Sequence, residues 1–429
     1  MTTIREVEDA LQLVLVESAS EHGVRSGWQQ RRSRLSASQF VQTLVWGFLE
    51  TPEATLGQLA QVAHATGALV TPQALSQRFS ERSVALLRGV LADALGVLLA
   101  AEPVEVALLR AFPGGVYLDD TTQIALPDAW QAIWDGGGTA AALKIPALFD
   151  LLRGSLQLEL TAARHHDSVT QAANLTFPAG SVVIEDLGYL DRQRMQRRQT
   201  HGVGTIVPLR CTLALHDPHG RRINLLAWLR QEASSEASAV ERMVCWQGMD
   251  LRVVAVPATP ETAARKRTGI LAVAQQHGRP PHPTALALAD WIVVLTTVPA
   301  TQATAQQIAT LLRLRWQIEL VFKVWKDQGK LDETRGWNAA RIETELYAKL
   351  LGLLIEHWVL LRTGWQWADR SLVKAGQSIR AYARCLCLVW TDHEALTHLC
   401  DVIARSLAVI GRIGSHCHQR SAAYYAHSA

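Results

Sequence analysis

The sequence predicts an α/β fold in which a sheet-forming central region is flanked by helical regions at both ends. Residues 1–112 carry helical periods and almost no strand pattern, which indicates a helical N-terminal domain. From Gly115 the pattern changes to short apolar runs separated by glycine and proline, as expected of strands. From Ala305 onward the sequence is helical again. With 429 residues, of which 48% are hydrophobic, the chain can bury the core that such an arrangement needs.

The N-terminal domain contains a helix-turn-helix pattern. Thr55 can cap a helix that runs through about His64, and Gly67 then breaks it. Thr71 and Pro72 can then start a second helix, because threonine caps helices and proline is tolerated at the first helical position. The second helix, expected to reach Phe79, would either enter a DNA major groove or form an ordinary helical hairpin. Its polar side chains are those of Gln73, Ser76, Gln77 and Arg78. A basic cluster upstream is either a solvated helix face or a DNA contact: Arg25, Arg31, Arg32 and Arg34.

The central region begins with residues 113–204, which contain four short strand patterns and one helix. A hairpin is expected around Arg153-Gly154, and a polar, basic helix over residues 191–199. The predicted strands cover residues 116–118, 147–152, 155–160 and 182–184. Two basic groups either follow DNA phosphates or lie on a solvated surface: Arg192, Arg194, Arg197 and Arg198 in the helix, and Arg265, Lys266 and Arg267 further on.

Residues 205–298 form a second, β-rich segment. Its predicted strands cover residues 223–228, 251–256 and 291–297. Residues 299–345 follow with a long helix over residues 309–330. Residues 346–429 complete a helical C-terminal region.

Three acidic residues stand where a charge would be costly unless it had a function. Asp120 follows the apolar residues 116–118 and shares the face of Val116 and Leu118, because side chains alternate along a strand. Asp186 follows the next predicted core strand, and Glu319 lies in the long helix. Asp119 is a second candidate for the first position.

The long helix combines a buried stripe with a charged face. Its apolar stripe consists of Leu311, Leu314, Ile318, Val321 and Trp325. Its adjoining face consists of Arg315, Glu319, Lys323, Lys326 and Lys330. Arg315 and Glu319 could simply form a solvated ion pair, worth about 0.3–0.5 kcal/mol. The two aspartates at strand ends favour a catalytic role for Glu319 instead.

Three carboxylates repel one another when they are brought together, so divalent cations must sit between them. Oxygen ligands of this kind suit Mg²⁺ or Mn²⁺. Two such ions can activate an attacking oxygen and stabilise a leaving one in phosphodiester displacement. Neighbouring cations such as Arg315, Lys323, Lys326 and Lys330 would hold the phosphates of DNA.

Three runs of sequence resemble the IS-four family of insertion-sequence transposases: residues 119–127, 185–189 and 313–323. That family has a Tyr, Arg, Glu, Lys signature with fixed gaps around its third acid. Arg315, Glu319 and Lys326 fit those gaps, but Leu312 occupies the tyrosine position. The family also has an aspartate seven residues before a proline, which selects Asp120 ahead of Pro127.

The resemblance implies an RNase H-like catalytic core, formed by residues 113–204 and 299–345, with residues 205–298 as a β-rich insertion. It implies that Asp120, Asp186 and Glu319 bind two metal ions. In relatives that cut DNA through a hairpin, a tryptophan near this place stacks on a flipped base, so Trp291 either contacts DNA or packs in a buried strand.

The function expected from these observations is that of a DDE transposase, a polynucleotidyl transferase with endonuclease activity that cuts and joins DNA at the ends of an insertion sequence. Its partners would be terminal inverted repeats and target DNA, and it would be a homodimer when it holds two DNA ends. The alternatives are a transposase-derived DNA-binding protein without activity and a nuclease that never joins strands.

Composition limits the location and the mode of DNA binding. The formal net charge is only +3, so DNA binding requires local basic patches. Six cysteines without a paired pattern suit a reducing cytosol, and the N-terminus lacks the apolar segment of a signal peptide. The longest apolar stretches are interrupted by charged residues, which predicts no membrane span. The resemblance implies that this cytoplasmic protein is bacterial and associated with the nucleoid.

Overall fold

The structure is a computed structural model that describes residues 2–31, 33–165, 175–209, 213–232, 239–336 and 338–413. It has the predicted α/β class, with a central sheet between two helical regions. The large hydrophobic core joins the N-terminal helices, one face of the sheet and the C-terminal helices.

The N-terminal region is helical, as predicted. Thr55 and Thr71 cap the two helices of the helix-turn-helix pattern, and Gly67 between them has a φ of +82°, which glycine tolerates best. The second of these helices ends at Ser76, three residues earlier than predicted. The helices are α1 Ile4–Gln12, α2 Ala19–Arg25, α3 Ala37–Glu50, α4 Leu56–Ala65, α5 Pro72–Ser76, α6 Glu81–Leu95 and α7 Ala107–Arg110, with a π-helical segment Leu13–Ser18 between α1 and α2.

A single nine-stranded sheet forms the centre of the molecule. Its order is β3-β2-β1-β5-β6-β9-β8-β7, and β4 pairs with β2. Strands β1, β5 and β6 are parallel, and the other pairs are antiparallel. The strands are β1 Val116–Leu126, β2 Ala141–Asp150, β3 Leu156–Leu158, β4 Thr161–Ala162, β5 Val182–Glu185, β6 Gly204–Pro208, β7 Val240–Trp246, β8 Met249–Pro257 and β9 Trp291–Thr296.

The two faces of β1 and β5 pack against different elements, because side chains alternate along a strand. Val116, Leu118, Val182 and Ile184 belong to the large core. Tyr117 and Val183 belong to a small cluster on the opposite face, with Phe177 and Val203. Alternation therefore decides on which face each acidic residue of these strands lies.

The segment between β6 and β9 contains more helix than predicted. The expected strand 223–228 is wrong, because this run contributes to a helix that buries Trp228 and Leu229. Short apolar runs do not distinguish a strand from a buried helix face. The helices after β5 are α8 Arg192–Thr200, α9 Leu225–Glu232, α10 Pro260–Gln276, α11 Pro283–Ala287, α12 Ala305–Leu314, α13 Trp316–Lys323, α14 Ala339–Thr363, α15 Leu372–Ala381, α16 Ala383–Val389 and α17 His393–Ile410.

The predicted helix over residues 309–330 is interrupted. Helix α12 ends at Leu314 and α13 starts at Trp316, so the regular hydrogen bonding breaks at Arg315. A π-helical segment, Val324–Gln328, follows α13. The predicted apolar stripe is confirmed, since its five members are all buried: Leu311, Leu314, Ile318, Val321 and Trp325.

Helix α14 crosses the interior of the protein and packs against α3, α6, α15 and α17. Its apolar residues serve the core, and within the described ranges the structure contains no helix long and apolar enough to cross a membrane. The described cysteines are free thiols: Cys245, Cys385, Cys387 and Cys400.

Candidate active site

The backbone pairing places Asp120 and Asp186 side by side. Asp119 of β1 pairs in register with Glu185 of the parallel strand β5, so the next residue of each chain segment, Asp120 and Asp186, follows at the same level. Both lie on the face of Leu118 and Ile184, which faces the large core. Two carboxylates therefore stand together, with Asp120 inside β1 and Asp186 directly after the neighbouring parallel strand β5.

Glu319 reaches the same face from helix α13, which packs against β1. Ile318 and Val321 anchor this helix in the core, while the Glu319 side chain stays 40% exposed. The guanidinium of Arg315 joins the two elements. It donates to Asp120 Oδ2 at 2.9 Å and to Glu319 Oε1 at 2.7 Å. One cation thus lies between carboxylates that are 199 positions apart in the sequence (319 − 120).

The environment of Asp120 raises its pKa above the ordinary aspartate value. Burial is the largest cause, and the carboxylates of Asp186 and Glu319 add to it by repulsion. The backbone N–H of Thr121, which donates to Asp120 at 2.8 Å, and the charge of Arg315 act in the opposite direction. Both other carboxylates are therefore close enough to raise the pKa of Asp120.

The carboxylates of Asp120, Asp186 and Glu319 suit a divalent cation, but Arg315 occupies the space between Asp120 and Glu319. Carboxylate oxygens are the ligands that Mg²⁺ and Mn²⁺ prefer. Within the part of the chain that the structure describes, no group of three or more His, Cys, Asp or Glu side chains stands close enough to hold a metal ion. Asp120 and Glu319 each accept a hydrogen bond from Arg315, so this side chain must turn away before both carboxylates can share an ion.

Asp119, the second candidate for the first acid, points away from this site. Its side chain is fully buried on the opposite face of the sheet, and neither carboxylate oxygen has a hydrogen-bond partner. Burial and the neighbouring Glu185 raise the pKa of Asp119 to about 8. Asp120, by contrast, shares Arg315 with Glu319.

Behind the sheet, helix α8 supplies buried arginines, although the sequence pattern favoured a surface position for them. Arg198 donates to Glu185 Oε1 at 2.7 Å, and Arg194 lies 3.7 Å from the same oxygen. Arg194 also donates to the carbonyl of Tyr189, whose hydroxyl meets that of Thr121 at 2.5 Å. These contacts fix the backbone beside both aspartates. The four-residue spacing of the arginines around the buried Met195 was the signal for a buried helix face.

The predicted phosphate-binding lysines lie along the helical segment after Glu319. Lys326 donates to the carbonyl of Gln123 on β1 at 2.9 Å, which ties the end of the helix to the first strand. Lys323 is exposed and 3.9 Å from Asp327. Lys330 pairs with Glu333 at 2.9 Å. The exposed ammonium of Lys323 is thus the freest of the three to meet DNA.

A large cavity of about 1100 Å³ opens beside Arg315. Helices α10 and α11, strand β9 and the end of α12 line it mostly with apolar side chains. Trp291 and Leu312, the residue at the tyrosine position of the family signature, both line this cavity. Lys266 also lines it and donates to the carbonyl of Trp291 at 2.7 Å, and burial lowers the pKa of Lys266. An apolar compartment bordered by cations therefore adjoins the acids.

Sheet order and acid placement together define the class of protein. A sheet of order β3-β2-β1-β5-β6, with one carboxylate inside β1 and another directly after the parallel strand β5, is typical of RNase H-like enzymes that act on phosphodiesters. Residues 112–355 match the model of the family described as transposase DDE domain. The chain belongs to this family. It is a DDE transposase with an RNase H-like core, an enzyme that acts on DNA and whose family uses divalent metal ions.

Named relatives extend the similarity over most of the chain. The transposase for insertion sequence element IS231F of Bacillus thuringiensis subsp. israelensis is 24% identical over 374 residues, which cover 81% of this chain and 78% of the relative. The IS231B transposase of subsp. berliner is 21% identical over 382 residues, covering 81% of this chain and 80% of the relative. The similarity thus extends beyond the catalytic core.

Proposed function

We propose that the chain cuts DNA at the ends of an insertion sequence and joins the freed ends to target DNA, with Asp120, Asp186 and Glu319 as its catalytic carboxylates. The observation that supports this most strongly is the position of Arg315 between Asp120 and Glu319, at 2.9 and 2.7 Å. A cation-binding site made of residues from two distant segments is what two-metal phosphoryl transfer requires.

In this proposal the three carboxylates would hold two Mg²⁺ or Mn²⁺ ions, which would activate the attacking oxygen and stabilise the leaving oxygen. Arg315 first balances the carboxylates and then turns towards a DNA phosphate, since a guanidinium binds either anion through paired N–H groups. Lys323, Lys326 and Lys330 extend the row of cations along the DNA.

The cavity beside Arg315 suits a nucleotide turned out of the helix. Trp291 offers an aromatic surface on which the base can stack. Lys266 and Arg315 also line the cavity and can bind the adjoining phosphates. Leu312 supplies an apolar wall where the family signature has a tyrosine, so a hydroxyl contact at that position is missing here.

The remaining assignments concern organisation and partners. Residues 1–112 would bind the terminal inverted repeats, and residues 205–298 would form the insertion in a core built by residues 113–204 and 299–345. Residues 346–429 would complete the C-terminal region. Two copies of the chain would hold two DNA ends in a synaptic complex, in the cytoplasm of a bacterium and in association with its nucleoid.

Cleavage by single-residue variants tests the proposed carboxylates. The substrate is DNA carrying the inverted repeats that flank the gene. Asp120→Asn, Asp186→Asn and Glu319→Gln should each lower the cleavage rate by more than the roughly 10- to 100-fold that loss of a residue supporting a metal ligand costs. Asp119→Asn is the matched control and should cleave within about threefold of the wild type, because that carboxyl faces away from the site. Equal losses at residues 119 and 120 would contradict the assignment.

A second substrate separates a transposase from a nuclease. With a precut end and a target plasmid, the wild-type chain should give joined strands, and the Glu319→Gln chain should give none. Cleavage of the uncut substrate without any joined product would show hydrolysis alone.

A further inference from the structure

Four arginines of the N-terminal region line one concave surface, away from the acids described above. Arg31 and Arg34 come from the segment before α3, and Arg78 and Arg82 come from the junction of α5 and α6. The surface encloses about 930 Å³, and we name it the arginine cleft. Its other lining residues are Trp28, Gln29, Gln30 and Ser33.

The arginine cleft has an uncompensated positive charge. Among the described residues, no acidic side chain lines it, and none of its four arginines forms an ion pair. Arg32 of the same segment lies outside the described residues. Guanidinium groups brought together in this way repel one another unless an anion lies between them. The cleft therefore favours an anionic ligand.

The floor of the arginine cleft is preorganised. Trp28 is buried, stacks on Phe40 with ring centroids 4.7 Å apart, and donates from its indole nitrogen to the carbonyl of Arg78 at 3.1 Å. The guanidinium carbon of Arg78 lies 5.3 Å from the Trp28 ring, a cation–π arrangement that limits its motion. Arg78 is thus held in the cleft instead of extending from the helix-turn-helix surface.

The arginine cleft is large enough for more than one small ion. Its volume is at the upper end of the range of about 300–1,000 Å³ that is common for pockets holding drug-sized ligands, so it accommodates a stretch of backbone with more than one phosphate. Helix α5, at five residues, is too short to present a row of side chains along a groove. Arg78 follows this helix and faces the cleft.

We propose that the arginine cleft binds the phosphate backbone of duplex DNA, with Arg78 as a phosphate contact and not as a reader of base edges. This inference rests on the proposed function, in which the N-terminal region binds DNA. Phosphate contacts fix the position of a protein on the duplex and carry no sequence information. Gln73 and Gln77, exposed on and next to α5, remain free for contacts to bases.

Salt-dependent binding tests the proposal with the full-length chain and no divalent ions. Fluorescence anisotropy gives the affinity for two 30-base-pair duplexes of unrelated sequence over a series of salt concentrations. Removing a phosphate contact should reduce the slope of log K against log[salt] by about 0.9. The Arg34→Ala/Arg82→Ala chain should therefore lose about 1.8 from the slope, equally on both duplexes. The Arg34→Lys/Arg82→Lys chain should keep the wild-type slope, because its charges remain.

Matched variants separate the loss of a phosphate contact from the loss of a surface charge elsewhere on the protein. Arg5→Ala removes an exposed arginine of helix α1 and should leave the slope unchanged. Arg78→Lys should lower the affinity for both duplexes to the same extent. An unchanged slope in the Arg34→Ala/Arg82→Ala chain would overturn the proposal. A loss of affinity for only one of the two duplexes in the Arg78→Lys chain would also overturn it. Binding is measured without divalent ions and without cleavage, so failure of catalysis at the proposed carboxylates remains separate from failure of the arginine cleft.

Discussion

At the scale of single residues, neighbouring acids have opposite roles because a strand alternates its faces. Asp120 and Asp186 point towards α13, whereas Asp119 and Glu185 point towards α8. On the face towards α13, Asp120 and Glu319 accept hydrogen bonds from Arg315, which a metal ion would replace in the proposed function. On the face towards α8, Glu185 is paired with the buried Arg194 and Arg198. The same few residues of β1 and β5 thus carry both the proposed chemistry and its support.

The support can be measured as stability. Glu185→Ala would leave Arg194 and Arg198 buried, at 3% and 6% exposure, without their anion. Breaking a buried pair in this way costs about 3–5 kcal/mol, so the free energy of unfolding in urea should fall by that amount. Arg197→Ala, on the exposed face of α8, should change it by less than about 0.5 kcal/mol. If Glu185→Ala unfolds like the wild type, the buried pairing does not support the strands.

At the scale of elements, helix α14 fixes the hairpin of β2 and β3 to the C-terminal helices. His357 of α14 donates from Nε2 to the carbonyl of Gly154 at 2.7 Å, and Gly154 has a φ of +74° in the turn of the hairpin. A side chain at this glycine would meet Trp365 and Leu361. The hairpin turn can therefore contact α14 only because residue 154 is a glycine.

This contact makes stability depend on pH. Burial lowers the pKa of His357 to about 4 from the ordinary 6.5, so the folded protein holds the neutral ring. The unfolded chain binds the proton first as pH falls, and the stabilisation that is present above pH 6.5 is lost as pH falls towards 4. The loss is on the order of 3 kcal/mol. His357→Gln keeps a donor for Gly154 and does not titrate, so it should lose less stability across that window in urea unfolding. Parallel pH curves for the two chains would exclude this role.

At the scale of the whole molecule, the sequence predicted the pattern of helix and sheet, together with the acids and their cations. These follow from local periodicity, strand alternation and motif spacing, as for Asp120 and Glu319. The interruption at Arg315, the helix α9 and the burial of Arg194 were not predicted, because they depend on packing between distant segments. The arginine cleft is of the same kind, since Arg31 and Arg82 line one surface only after α2 has packed against α3 and α6.

The most direct test of the central claim is Mn²⁺ binding to the full-length chain without DNA, followed by electron paramagnetic resonance. Arg315 competes with a metal ion for Asp120 and Glu319, so Arg315→Ala should bind Mn²⁺ more tightly than the wild type, by about tenfold for each 1.4 kcal/mol of competition removed. Adding Asp120→Asn to that chain should abolish the gain. Equal or weaker Mn²⁺ binding by Arg315→Ala would contradict the claim that these carboxylates form a metal site held closed by an arginine.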